Sequence, residues 1–403
     1  MASDIQTAVA KLIAYCEAAN WAGHDPYDAL NSRIVAAFPL LNSSLPRLAL
    51  TQALKRSPVS LRRPLLVPKT QNPKAIGLFL TSFINLSRAG FTQHRTFIRL
   101  MIDRLAALRS PGLSYYCWGY SFPWQTRTVI VPAGQPNLIC TAFAASALLD
   151  AYEDGHGSEC LTMAVSAAEY ILDALYWTSD EAVAGFSYPI SSVQSRIHNA
   201  NFIAAALLSR VHHHTGQARF LGPTLAAARY SAAQQRFDGS WEYGESPSQA
   251  WIDNFHTGYN LCALRTLSLY AQTAEFDSCV RRGYSFYRAH FVREDGAPRY
   301  YHDRTYPIDI HCVAQTIITL LAFEDLDSTA VPLAHAVWHW AMTHLWDDHG
   351  YFYYRVLRFC TVRISYMRWS QAWMLLAMSQ LLLCHGTPLR QRSPVALMEA
   401  TTC

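Results

Sequence analysis

One unit recurs along this chain, and a recurrence of that length constrains the fold more than any single motif does. The clearest copy runs from Phe237 to Tyr270. A turn at Gly239 leads to a short aromatic strand, Ser240-Trp241-Glu242-Tyr243, then to a polar loop, then to a helix with Asp253 at its N-cap position. Ile252, Phe255, Tyr259, Leu261, Leu264 and Leu267 supply apolar positions at helical spacing. The same order runs from Gly119 through Asn137 to Tyr152 and from Gly185 to His198-Asn-Ala-Asn201. It returns from Gly296 to Asp309-Ile-His311 and from Gly350 to Arg368-Trp-Ser-Gln371. A degenerate sixth copy covers Lys74 to Ala89. Helix starts placed at Lys74, Pro136, His198, Asp253, Ile308 and Met367 are spaced by 62, 62, 55, 55 and 59 residues.

Between these helices the spacing predicts partner helices over 93–109, 158–177, 217–236, 274–291 and 328–345. The result is an all-α fold, an (α/α)6 toroid or six-hairpin barrel, with short β-like aromatic loops at one mouth. Residues 1–384 form one domain that includes the N-terminal helices over 3–19 and 44–54, and 385–403 form a loose tail. Residues 56–72 read as a basic, proline-punctuated connector. A hydrophobic share of 51% against 15% charged suits one helix ring enclosed by another.

The same figures limit function. No apolar run reaches about 18 residues, so no membrane span is expected. The N-terminus has an acidic residue early and no small-residue cleavage site after an apolar block, so it does not read as a secretory signal. Ten cysteines lie scattered with no CxxC. They read as reduced thiols of a cytoplasmic protein, none of them disulfide-bonded.

In such a toroid the long loops gather at the N-termini of the inner helices. Each terminus carries about half a positive charge and free N–H groups, so this mouth favours anions. The loops also hold Arg127, Arg196, Arg299, Arg304, Arg355, Arg358, Arg363 and Arg368 among many aromatics. Arginine pairs bidentately with carboxylates, and aromatic faces stack on sugar rings. The expected partner is an anionic oligo- or polysaccharide. Nucleic acid is not expected, because the bases are interleaved in pocket loops.

Polar residues pair along the faces of the inner helix starts: His198 with Asn201, Asp253 with His256, His311 with Gln315, Arg368 with Gln371. Asn260 lies one turn beyond His256. Asp309 adds a carboxylate beside His311. The catalytic expectation is Asp253, His256, Asp309 and His311 as a general acid–base set. Arg368 would hold a carboxylate, with Gln371, His198, Asn201, Trp241, Tyr243, Tyr301 and Trp369 also lining the substrate. The plainer reading makes Asp253 and Asp309 helix caps, the histidines core residues, and the aromatics a lid on the core. Geometry separates the two, since hydrolysis needs carboxylates about 5–10 Å apart across an open funnel. No metal or cofactor is expected: Cys384-His385 lies at the wrong end of its helix for the mouth, and there is no glycine-rich phosphate loop. Gln234 to Trp241 is similar to the QW repeat of terpene cyclases, but no DxDD acid motif accompanies it.

Several motifs resemble one bacterial family. They are Trp21-x-Gly-x-Asp-Pro-Tyr-Asp-x-Leu-x-Ser32, Asn72-Pro-Lys-Ala75, Asp238-Gly-Ser-Trp241, Trp251-Ile-Asp-Asn-Phe-His-Thr-Gly258 and Arg368-Trp-Ser-Gln371. The family is that of capsular and exopolysaccharide biosynthesis clusters, the Vibrio-polysaccharide J-type proteins, and the resemblance covers nearly the whole chain. It implies membership of the wider six-hairpin glycosidase superfamily, with a glycan context and other polysaccharide synthesis proteins as possible partners. It carries no catalytic residue by itself. The functional expectation is a hydrolase, lyase or epimerase of polysaccharide biosynthesis. A non-catalytic glycan-binding or scaffold protein is the alternative, and an isoprenoid-binding α/α barrel, with an apolar tunnel, the third.

Overall fold

The computed structural model describes residues 2–38, 43–126, 129–179 and 183–386. Arg127 and the expected tail from 387 onward lie outside the described residues. The helices are α1 (Ala2–Ala18), α2 (Arg33–Ala37), α3 (Ser44–Arg56), α4 (Pro73–Arg88), α5 (Arg95–Ala107), α6 (Leu138–Glu153) and α7 (Ser158–Tyr170). They continue as α8 (His198–Thr215), α9 (Leu221–Ala233), α10 (Asn254–Tyr270), α11 (Asp277–Phe291), α12 (Ile310–Leu321), α13 (Ala330–His344) and α14 (Trp373–Gly386). A π-helical stretch, Met367–Ala372, leads into α14.

Helices α4, α6, α8, α10, α12 and α14 pack in that order, and α14 returns to α4, so the inner ring closes. Helices α5, α7, α9, α11 and α13 each pack outside the inner helix that precedes them. The sixth outer position is filled by α1, which packs on α14. The chain is therefore a closed (α/α)6 toroid whose last hairpin is completed by its first helix. The inner helices begin at Pro73, Leu138, His198, Asn254, Ile310 and Met367, within a few residues of the spacing-based starts. Every residue of α12 is buried, as a helix enclosed on all sides should be.

Side-chain caps set several of these starts. Asn72 accepts from the Lys74 N–H at 3.1 Å, with Pro73 in the first helical position. Asn137 accepts from Cys140 at 2.9 Å. Asp253 and Asp309 cap α10 and α12. The aromatic loops are short antiparallel ladders: β1 (Trp124–Gln125) with β2 (Ile130–Val131), and β3 (Tyr176–Thr178) with β4 (Ala184–Phe186). Further along, β5 (Ile308–Asp309) pairs β8 (Arg355–Val356), which pairs β9 (Thr361–Val362), and β6 (Trp346–Asp347) pairs β7 (Tyr351–Phe352).

Three inner helices clasp the loop of their own repeat by one polar side chain. The Thr141 hydroxyl accepts from Trp118 N at 3.0 Å and donates to Trp118 O at 3.1 Å. Asn201 Oδ1 accepts from Phe186 N at 3.0 Å, and its amide donates to Ser231 at 2.9 Å. Gln371 accepts from Phe352 N at 2.9 Å and donates to Phe352 O at 2.8 Å. Asn201 and Gln371 were expected to face a ligand. Both are enclosed and spent on backbone that would otherwise be unpaired.

The residues over 56–72 form no simple connector. With 19–32 they fold back over the mouth. Gly23 pairs with Thr70, and Met367 N donates to His24 O at 3.2 Å. A Cβ on Gly23 would lie 2.5 Å from the Met367 Cβ, so only glycine lets the segment sit this close. Inside it, Arg62 donates to Asp28 at 2.7 Å and to Asp25 O at 2.6 Å, all three residues being buried.

Candidate active site

The four residues expected to carry chemistry lie at the starts of two neighbouring inner helices. Asp253 Oδ1 accepts from His256 N at 3.0 Å and so caps α10. Its Oδ2 takes the Trp251 indole N–H at 3.1 Å and meets His256 Nδ1 at 2.8 Å. A carboxylate only accepts, so Nδ1 carries a proton, and in the neutral ring the lone pair of His256 is on Nε2. Nε2 has no protein partner among the described residues. His256 is 21% exposed while Asp253 is 2% exposed at the side chain. Of the expected set, this histidine alone reaches the surface.

His256 borders a crevice between α8 and α10 that is too tight to admit a water molecule, lined also by Asn199, Glu242, Tyr243, Trp251, Thr257 and Asn260. Tyr243 and Trp251 stack with centroids 4.6 Å apart and planes 11° apart, and Tyr243 lies 4.5 Å from the His256 ring. The side-chain oxygens of Asn199 and Asn260 are buried and have no hydrogen-bond partner among the described residues. A buried polar atom left unpaired costs about 1–3 kcal/mol, which a ligand hydroxyl would relieve. Asn260 was on the expected face. Asn199 was missed, although it stands inside the repeat signature between His198 and Asn201.

Asp309 and His311 sit deeper, each 1% exposed. Asp309 Oδ1 accepts from His311 N at 2.9 Å and from the Trp369 indole at 2.8 Å. Burial pushes its carboxyl up to about 6, against the pull of those two donors and of Arg355 and Lys55. His311 lies between Trp369 and Trp373, with centroids at 4.4 and 4.5 Å, and its Nε2 meets the Tyr259 hydroxyl. Burial, then Lys74 and Arg368, hold it well below the usual histidine range, so it is neutral. Asp253 and Asp309 are thus both enclosed caps, not a carboxylate pair facing each other across open water.

Arg368 does not present a free fork. Its Nε and Nη2 reach the two oxygens of Asp25 at 2.7 and 2.8 Å, and both residues are buried. A carboxylate sits where one was expected, but the chain supplies it. Tyr27 then packs on Trp369 with centroids 5.5 Å apart, and Lys55 donates to the Tyr27 hydroxyl at 2.7 Å. The mouth that was expected to be open is covered.

Other expected contacts are redirected. Trp241 is core: its indole donates to Ser231 O at 3.1 Å and its ring packs on Phe202. Only its edge borders the cleft. His198 is buried beside Ser231 at 3.3 Å, and burial lowers it to about 4. Tyr301 is partly exposed under Arg304. Trp369 is buried on Asp309. Among the loop arginines, Arg196 and Arg304 pair with Glu245 and Asp303. The expectation that one deep cleft holds the whole set is corrected: a cavity of about 440 Å³ lies at the edge of the mouth and includes none of these residues.

Sequence reasoning passed over Lys74 as the mere start of the degenerate copy. It is buried, with its ammonium position 3.9 Å from the Phe143 ring centroid and 5.4 and 5.2 Å from those of Tyr259 and Trp373. Burial, then Arg368, hold it well below the usual lysine range. The signal was there: it is the only charged residue before the last turn of an apolar helix, at the position where the other copies carry polar groups.

Nine cysteines are described and none of them is disulfide-bonded; Cys403 lies outside the described residues. No helix among the described residues is long and apolar enough to cross a membrane.

No family model matches the chain. No curated protein sequence matches it either. Solved structures do. A cellobiose 2-epimerase from Bacillus thermoamylovorans superposes with a TM-score of 0.59 at 12% identity, over 78% of this chain and 88% of that one. A GH76 α-mannanase from Bacteroides thetaiotaomicron gives 0.58 at 11% identity, over 78% and 87%. A polysaccharide lyase gives 0.54 at 11% identity, over 79% and 92%. The shared fold is the (α/α)6 toroid. At this identity the likeness speaks for the fold alone.

Proposed function

We propose that the protein is a carbohydrate-active enzyme of the toroid fold, acting on an anionic saccharide during polysaccharide biosynthesis in the cytoplasm, alongside other proteins of that synthesis. The observation that carries this reading is the Asp253–His256 pair. One carboxylate caps the helix and holds the imidazole tautomer, leaving Nε2 as a base on a cleft with two unpaired amide oxygens. The crevice must widen to admit a sugar; once it does, Tyr243 and Trp251 offer an aromatic edge to the ring, and Asn199 and Asn260 accept its hydroxyls.

Proton abstraction fits this site better than hydrolysis between two carboxylates. His256 Nε2 takes a proton from a carbon beside a carbonyl, as an epimerase of a ring-opened sugar requires, or beside a uronate carboxylate, as a lyase requires. Asp253 orients the ring and offsets its positive charge. Asp309 and His311 are assigned support of the α12 start and of Tyr259. The glycan context is supported by the resemblance to the capsular family and by the epimerase, mannanase and lyase among the structural neighbours. Uronate-containing oligosaccharides incubated with the protein in D₂O test the reading by mass spectrometry. Deuterium uptake or a mass change that His256→Gln abolishes supports it.

A second reading, a non-catalytic glycan-binding or scaffold component, draws on the covered mouth and the Asp25–Arg368 fork. Binding of the same oligosaccharides with no deuterium uptake and no product favours it.

A further inference from the structure

The cavity of about 440 Å³ is absorbed by neither reading. It lies on the flank of the mouth, between the end of α1, the covering segment and the strand that enters the sixth inner helix. That volume is within the range of small-ligand pockets, about 300–1,000 Å³. Val59, Ile364 and Met367 give it an apolar side. Ser60, His24 and the bonded pair of Tyr15 and Ser365, 2.8 Å apart, give it hydroxyls and an imidazole.

Its charge is of one sign. Lys69 and Arg363 line it, and no aspartate or glutamate does. Neither base makes an ion pair among the described residues. Arg363 lies over the Tyr353 ring, at 5.4 Å from its centroid, and the hydroxyl of that tyrosine donates to Asp347 at 2.6 Å, outside the cavity lining. The nearest carboxylate on the His24 side, Asp28, lies behind the imidazole at 3.5 Å and is taken by Arg62. The sequence offers Lys69 no local partner, since the chain holds no acidic residue between Asp28 and Asp103. The Nδ1 of His24 is buried and turned to Asp28 Oδ2, so it is Nε2 that remains for a ligand.

We propose that this cavity binds a small anionic saccharide, with Lys69 and Arg363 taking its phosphate or carboxylate and Ser60 and His24 taking hydroxyls. The charge half of this assignment stands on the cavity alone. The saccharide half rests on the reading of the cleft above. Two bases lining one cavity can share one anion, and Ile364 and Met367 offer an apolar face to a sugar ring.

Calorimetric titration of the full chain tests this with glucose 1-phosphate, glucuronate, inorganic phosphate and glucose. One of the two sugar anions should bind, glucose at least about tenfold more weakly, and the affinity should fall as salt rises. The stronger of glucose 1-phosphate and glucuronate identifies the anion. Lys69→Gln with Arg363→Gln should weaken binding at least about tenfold. Both side chains are exposed, so the variant should fold. His256→Gln should leave this binding unchanged, which separates failure here from failure of the cleft. Equal affinity in the double variant, no binding of either sugar anion, or phosphate alone binding as tightly as glucose 1-phosphate would overturn the proposal.

Discussion

Arg368 and Asp25 stand 343 residues apart in sequence and meet in a two-bond fork, at 2.7 and 2.8 Å, at the mouth of the inner ring. The fork joins the start of the sixth inner helix to the segment that covers it. With both partners buried, it acts as a latch whose halves are costly apart.

Asp25→Asn should therefore cost about 3–5 kcal/mol of stability, because a buried guanidinium loses its counter-charge. Urea unfolding measures it. A loss below about 1 kcal/mol would mean that the fork is open to water in solution.

Gln371→Ala should cost about 2–4 kcal/mol, since it leaves both the N–H and the carbonyl of Phe352 unpaired in the core. Saccharide binding at the His256 cleft should not change. A variant of wild-type stability with weakened saccharide binding would restore Gln371 to the ligand.

The toroid was legible because it repeats. Six apolar helices with polar starts, at spacings of 55 to 62 residues, leave few other folds. The caps at Asn72, Asn137, Asp253 and Asp309 fix those starts chemically, so local sequence carries them. The covering segment was not legible, because no periodicity links Asp25 to Arg368 or Tyr27 to Trp369. The direction of a loop aromatic was not legible either. Trp241 follows a glycine turn as a solvent-facing residue would, yet packs inward on Phe202 and against Gly283 of α11. Nor does the chain announce that Asn201 and Gln371 clasp backbone, since an amide on a polar helix face serves a ligand or a loop equally well. The Asp253–His256 pair was readable because spacing on a helix face survives any tertiary arrangement.

Asp309 yields a pH signature. Its carboxyl is raised from about 4 in the unfolded chain to about 6 in the fold. A raised acid favours the native state below the unfolded value and loses that contribution as pH climbs through the folded one. The loss from pH 4 to 7 amounts to about 2 kcal/mol. Asp309→Asn keeps the cap and the acceptor for Trp369 without a charge. It should flatten this limb and stabilise the protein at pH 7 relative to wild type. Parallel stability curves for the two proteins between pH 4 and 7 would contradict the raised value.

Asp253→Asn separates capping from catalysis within one residue. The asparagine oxygen can still accept from His256 N, and asparagine caps as well as aspartate, so the cap itself is kept. Stability should fall only by about 1–3 kcal/mol, the cost of a Trp251 indole left without its acceptor. The other half of the side chain changes more. Asp253 Oδ2 now receives two donors, the Trp251 indole and His256 Nδ1. An amide nitrogen there offers protons to both. The imidazole must then shift its proton to Nε2 to present a bare Nδ1, which removes the base from the cleft. Turnover should drop by about 10²–10⁴, the range of a lost general base, with the fold intact. His256→Gln should match it, and the double variant should be no worse than either alone, because the two residues act as one unit. Wild-type turnover in Asp253→Asn would reduce Asp253 to a cap, and additive losses in the double variant would mean that the pair does not work through a shared proton.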